Sequence, residues 1–209
     1  MSPLILLFAL FRATVAQFSA TAQSEILQVH NEMRSAIALG TFEVQGNQIP
    51  SAANMIKLRW GKSLAEKAQE YANTCELGPI DPQFGVNTYR TYSQTSPTSL
   101  NQYGKKAAMS WANEFEYFGL ESNFFGEEAL ESGIEDASQM VWALTSSVGC
   151  GVANCGQDMG TFTKAYKIDV VCLYMRKGNI VGEEIYEGGE SCSACTGYYS
   201  CDEDTGLCG

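Results

Sequence analysis

Residues 165–175, AYKIDVVCLYM, decide the fold. Tyr166, Ile168, Val170, Cys172 and Tyr174 alternate along one face, the two-residue period of a β-strand. The chain before them repeats differently. Over residues 24–39, Ile26, Val29, Met33 and Ile37 share one helical face, with Gly40 as the stop. Residues 64–75 form a second helix, opened by a Ser63/Glu66 capping box, striped by Leu64, Ala68, Tyr71 and Cys75, and closed by Gly78-Pro79. A third carries Ala108, Trp111, Phe115 and Phe118 before Gly119, and a fourth Ala137, Val141, Leu144 and Val148 before Gly149. After the strand, Gly178-Asn179 marks a turn, and IVGEEIY (180–186) reads as a returning hairpin partner. Helices first and strands later predict an α+β fold rather than a Rossmann sheet. Trp60, Trp111 and Trp142 read as core.

Two regions break the pattern. Cys75 to Gly104 is rich in Pro, Ser, Thr, Asn and Tyr without a period, and reads as a long functional loop. From residue 188 the tail holds Cys192, Cys195, Cys201 and Cys208 with too little apolar content for a core, so disulfides are expected to hold it. With Cys75, Cys150, Cys155 and Cys172 the total is eight cysteines, an even number. The opening MSPLILLFALFRATVAQF reads as a secretory leader over residues 1–16, with an apolar run from Leu4 to Phe11. A second cleavage option is Ala20-Thr21-Ala22. Together these predict an exported, disulfide-stapled protein with no membrane span, and they disfavour zinc at Cys192-x-x-Cys195. The expected division is a leader at 1–16, a main domain at 17–187 and an extension at 188–209.

The chain carries 24 acidic and 13 basic residues, a formal net charge of −11. A polyanion such as nucleic acid is therefore repelled rather than steered in. Asn-x-Ser/Thr sequons do not occur, so ordinary N-glycans are not expected.

The octet EDASQMVW (135–142) resembles the rim of an active site. Ser138 is a conceivable nucleophile, but a serine needs an adjacent base, and the sequence holds one histidine, His30. Glu114 with Asp136 offers a glycosidase-like pair by residue type, or a weak hydrated calcium or magnesium site. Zinc or copper needs several imidazole or thiolate donors. The residues point to no catalytic group, no metal and no cofactor.

Four segments in order carry a family resemblance: HNEMRS (30–35), MIKLRWGKSLAEKAQEYANTC (55–75), SQMVWALTSSVGCGV (138–152) and VVCLYMRKGNIVGEEIY (171–186). The chain resembles the CAP family of secreted proteins, and within it the venom-allergen-like or activation-associated secreted proteins of parasitic nematodes. The resemblance implies a three-layer α–β–α sandwich and a hinge-like extension pairing Cys192 with Cys201 and Cys195 with Cys208. It also implies a central cavity where many members hold a divalent metal with two histidines and two acids. Here the family's GHYTQMVW is written EDASQMVW, so its histidine becomes Asp136. Its GENLY is Gly85-Val86-Asn87-Thr88-Tyr89, so the glutamate becomes Val86. The other histidine, four residues past the helix cysteine, falls on Pro79, and Glu114 alone keeps an acid. The cavity is expected to be degenerate.

The same resemblance points to lipids. In FGVNTYRTY (84–92), Phe84, Tyr89 and Tyr92 follow the spacing of a caveolin-binding motif, which in some CAP proteins lies on a loop implicated in sterol binding. A fatty-acid channel between the first and fourth helices would be lined by Ile26, Met33, Val141 and Leu144, residues that equally suit core packing. The expectation is a non-enzymatic binder of sterols or fatty acids. The alternatives are a secreted effector or immunomodulator that engages a host protein, and a carboxylate-based hydrolase.

Overall fold

Two glycines set how the central sheet is covered. Gly149 and Gly151 lie on one face of a strand, and a Cβ on either would collide with the backbone of the helix above it. The computed structural model describes residues 18–160 and 164–209. The leader assigned to residues 1–16, with its Leu4–Phe11 run, lies outside the described residues.

Helix α1 (Ala20–Ala38) is followed by a small hairpin, β1 (Glu43–Val44) with β2 (Asn47–Gln48). Strand β3 (Arg59–Trp60) runs straight into α2 (Lys62–Thr74), and β4 (Gly85–Ser93) comes next. Helix α3 (Asn101–Ala112), α4 (Glu114–Phe118), β5 (Phe124–Phe125), a 3-10 turn (Glu127–Glu131) and α5 (Glu135–Val141) complete the helical part. Strands β6 (Ser147–Gln157) and β7 (Tyr166–Met175) then form the sheet centre. Short strands β8 (Glu183–Glu184), β9 (Cys201–Asp202) and β10 (Leu207–Cys208) finish the chain.

The main sheet has the order β3-β6-β7-β4, with β3 parallel to β6 and the other pairs antiparallel. Both faces are covered. On one, α2 places Leu64, Ala68 and Ala72 against Val171 and Leu173. On the other, Val148, Cys150, Val152, Ile168, Val170, Cys172 and Tyr174 join the core made with α1, α3 and α5. Helix, sheet and helices form the three expected layers. The disulfides are Cys75–Cys155, Cys150–Cys172, Cys192–Cys201 and Cys195–Cys208. Cys150 and Cys172 lie directly opposite each other in the β6/β7 register.

The motif HNEMRS is a clasp on α1. Asn31 donates through Nδ2 to Leu58 O at 3.0 Å and accepts the Leu58 amide at 2.9 Å. Arg34 is fully buried, and its guanidinium donates to the carbonyls of Ile56, Met140, Trp142, Ala143 and Thr145. One side chain thereby fixes the loop before β3 and the exit of α5. Its pKa falls to about 9 because burial penalises the charge, and the ring of carbonyls compensates in part by accepting its hydrogen bonds.

Several sequence expectations need correction. The fourth helix stops at Val141; Leu144 is exposed beyond it and Val148 belongs to β6. The third helix breaks at Asn113 into α3 and α4. Helix α2 begins at Lys62 behind Gly61, with no side-chain cap, so the Ser63/Glu66 box does not form its start. Residues 180–186 are not a hairpin partner of β7. Both edges of β7 are already taken by β6 and β4, and β8 pairs with β5 instead. The supposed loop from Cys75 to Gly104 contains β4, paired with β7 from Gly85 to Ser93. Helix α1 starts at Ala20, capped by Ser19, so the Ala20-Thr21-Ala22 cleavage option lies within it.

The tail is held by more than disulfides. Leu207 is fully buried in the main core, the Cys208 amide donates to Met55 O at 2.8 Å, and Lys57 pairs with Asp202 at 3.2 Å.

Candidate functional site

The octet 135–142 forms α5 and its exit, and the N-terminus of α5 meets that of α4. Glu114, the first residue of α4, accepts the Ala137 amide through Oε2 at 2.8 Å. It therefore serves as a cap supplied from a neighbouring helix. Burial raises its pKa to about 7, against the pull of the Ala137 and Asp136 amides, with Glu135 adding repulsion. Asp136 rises to about 8, first through burial and then through the nearby charges of Glu114 and Glu135. Both acids therefore hold their protons to higher pH than free carboxylates do, which limits the negative charge they can offer a cation.

From β4, Asn87 is fully buried and donates through Nδ2 to Asp136 O at 2.8 Å. Its Oδ1 meets no donor among the described residues. Gln139 accepts the Gly178 amide at 2.8 Å and donates to Thr145 Oγ1 at 3.2 Å. Gly85 is required beside it, because a Cβ there would strike the Gln139 amide. Ser138 Oγ lies 2.8 Å from Asn179 Oδ1 and 3.1 Å from Glu135 O. The octet is thus tied by hydrogen bonds to β4 and to the chain beyond β7, and its hydroxyl contacts no base.

The imidazole is engaged elsewhere. His30 is fully buried, with Nδ1 2.8 Å from Ile26 O and Nε2 2.8 Å from Tyr174 Oη. A carbonyl only accepts, so Nδ1 carries the proton and Nε2 accepts from the tyrosine hydroxyl. Burial lowers the His30 pKa to about 4 and keeps the ring neutral. Tyr174 is pushed well above the ordinary tyrosine value by burial, with nearby Asp136 adding to the shift. Among the described residues, no group of three or more His, Cys, Asp or Glu side chains is arranged to hold a metal ion.

The structure gathers some expected residues and separates others. Glu114 and Asp136 come together. Val86 packs on the α2 side of the sheet, and Pro79 is exposed in the segment after α2, so these two do not join the acids. The three aromatic residues lie on or next to a strand, not in a loop, and side chains alternate across it. Phe84 packs towards α2, whereas Tyr89 packs against the opposite core. Tyr92 is exposed, and its eight-residue separation from Phe84 spans roughly 26 Å at ~3.3 Å per residue. Ile26, Met33 and Val141 are packed in the main core, while Leu144 lies outside it. Asn87 and Tyr174 escaped the sequence reading. One sat in a segment taken for a loop, and the other counted only as a member of an apolar stripe.

Comparison with known proteins agrees with this architecture. The family model for CAP, the cysteine-rich secretory protein family, matches residues 27–174. The chain belongs to that family. Solved structures it resembles include nematode ASP and VAL proteins: BmVAL-1, with a TM-score of 0.82 at 28% identity over 95% of this chain and 98% of that one, and NaASP2 in a crystal with Zn2+, with a TM-score of 0.80 at 28% identity over 92% and 97%. Among curated relatives, Ancylostoma secreted protein of Ancylostoma caninum is 30% identical over 90% of this chain, which spans only 44% of that protein. Venom allergen 5 of Vespula flavopilosa is 33% identical over 83% of this chain and 84% of its own length.

Proposed function

We propose that this chain is an extracellular CAP protein that works by binding rather than catalysis, and that its ligands are small lipids of the sterol type. The non-catalytic half rests on His30. The lone imidazole is neutral, buried and bonded at both nitrogens, so neither Ser138 nor a zinc ion has it as a partner. The central cavity is read as a CAP site with its metal-binding histidines replaced.

The observation that carries the lipid half is an open cavity of about 280 Å³ beside Phe84, lined also by Leu64, Met175, Ser63, Ser147 and Lys67, whose ammonium lies 5.4 Å from the centre of the Phe84 ring. A flat apolar ring system would take the place of the flexible Lys67 side chain over Phe84, and a serine hydroxyl would meet a single polar group. The sterol reading thereby narrows from three rings to one, since Tyr89 faces the other way. Cholesterol displacement tests it. Phe84→Ala should weaken binding about tenfold or more, while Tyr92→Ala should bind as the wild type does. Equal binding by Phe84→Ala and wild type, or none by the wild type, rules it out.

A further inference from the structure

A second cavity, of about 180 Å³, lies between α4, β5 and the 3-10 turn, well apart in sequence from the Phe84 groove. Phe118, Leu120, Phe124 and Ile134 give it apolar walls, and Glu121 and Glu128 contribute carboxylates. The aromatic rings are not consumed by the core: Phe118 is 58% exposed and Phe124 47%. Neither carboxylate has a salt-bridge partner among the described residues, and no Lys, Arg or His lines the cavity.

Two glycines leave room for these groups. The Phe118 ring lies over Gly133, whose φ of +85° few side chains tolerate and whose Cβ would sit 3.2 Å from the ring. The Glu128 carboxylate lies where a side chain on Gly126 would be, so any larger residue there would displace it.

We propose that this cavity binds a small organic cation with an aromatic body, an arylalkylamine. The ammonium pairs with the Glu121 and Glu128 carboxylates, and the aryl group lies against Phe118 and Phe124. Unpaired carboxylates beside exposed rings select for this chemistry in two ways. They repel a fatty-acid carboxylate, and a neutral sterol leaves their charge unanswered. The overall negative charge draws a cation towards the protein. This site is independent of the Phe84 groove, so failure of either reading leaves the other standing.

Tryptamine is the probe, titrated into the purified protein at low salt and followed by calorimetry. Its neutral analogue tryptophol and its anionic analogue indole-3-acetate are titrated alongside. Saturable one-to-one binding of tryptamine, about tenfold or more tighter than tryptophol, supports the proposal. So does a similar loss in Glu121→Gln/Glu128→Gln and in Phe118→Ala. These side chains are exposed, and circular dichroism checks that each variant keeps its fold. The proposal is overturned if tryptamine does not bind, if tryptophol and indole-3-acetate bind as well as tryptamine, or if the glutamine variant binds unchanged.

Discussion

His30 and Tyr174, 144 residues apart in the chain, meet at 2.8 Å with the imidazole Nε2 accepting the phenolic proton. This bond joins α1 to the central strand β7 inside the core, and it takes up the only imidazole in the protein. Removing either partner leaves a buried polar group unpaired. Tyr174→Phe and His30→Phe should each lower stability by about 1–3 kcal/mol. In a double-mutant cycle by urea unfolding, the double variant should lose clearly less than the sum. Additive losses would mean the two side chains do not interact as described.

Arg34 is the more costly residue to change. Arg34→Met strips the carbonyls of Ile56, Met140, Trp142, Ala143 and Thr145 of their shared donor. The Trp142 and Ala143 carbonyls still accept the Thr145 and Ile56 amides, but each acceptor orphaned among the other three costs about 1–3 kcal/mol, so the variant should fail to accumulate as folded protein. Arg34→Lys supplies one point donor in place of a planar fork and should remain severely destabilised. Secretion yield and thermal unfolding measure both.

The pH dependence of stability follows from groups that act in opposite directions. Glu114 rises from 4.5 to about 7 and Asp136 from 3.8 to about 8. The native state therefore binds more protons than the unfolded chain within that window. Their contribution is present at low pH and lost as pH rises through the folded values. His30 falls from 6.5 to about 4, so its contribution is present above 6.5 and lost as pH falls through 4. Stability should decline as pH climbs from 6.5 to 8, and Asp136→Asn should flatten that decline. Urea midpoints across this range test the sign. A rise in stability towards pH 8 would contradict the assignment of buried, proton-holding acids.

The tail should behave as part of the core. Leu207 is completely buried in the main hydrophobic cluster, so Leu207→Ala should cost about 2–5 kcal/mol even with every disulfide intact. A tail that only hangs from its disulfides would show almost no change on thermal unfolding.

Much of the fold was legible because it rests on patterns that local physics writes into sequence. The α1 face through Ile26, Met33 and Ile37, the α2 stripe and the β7 alternation all pack as their periods require. The fourth helix misled because Leu144 and Val148 continue a helical spacing by coincidence. Buried on both faces, β6 is a nearly continuous apolar run, and such a run carries no distinguishing period. Strand β4 escaped because it lies at the edge of the sheet, where polar residues such as Thr88, Arg90 and Thr91 are tolerated and pairing with β7 supplies the structure. At the candidate site, the carboxylate pair was visible from the family pattern. The roles of Asn87 and Tyr174 depend on contacts between distant strands and helices, which no local window records.

The central claim is that the one imidazole serves the core and leaves the central acids without a metal-binding partner. Zinc calorimetry on the purified protein, with Glu114→Gln/Asp136→Asn alongside, tests it most directly. The expected result is no saturable nanomolar site and no difference between the two proteins. A one-to-one nanomolar zinc isotherm in the wild type that disappears in the double variant would contradict the account.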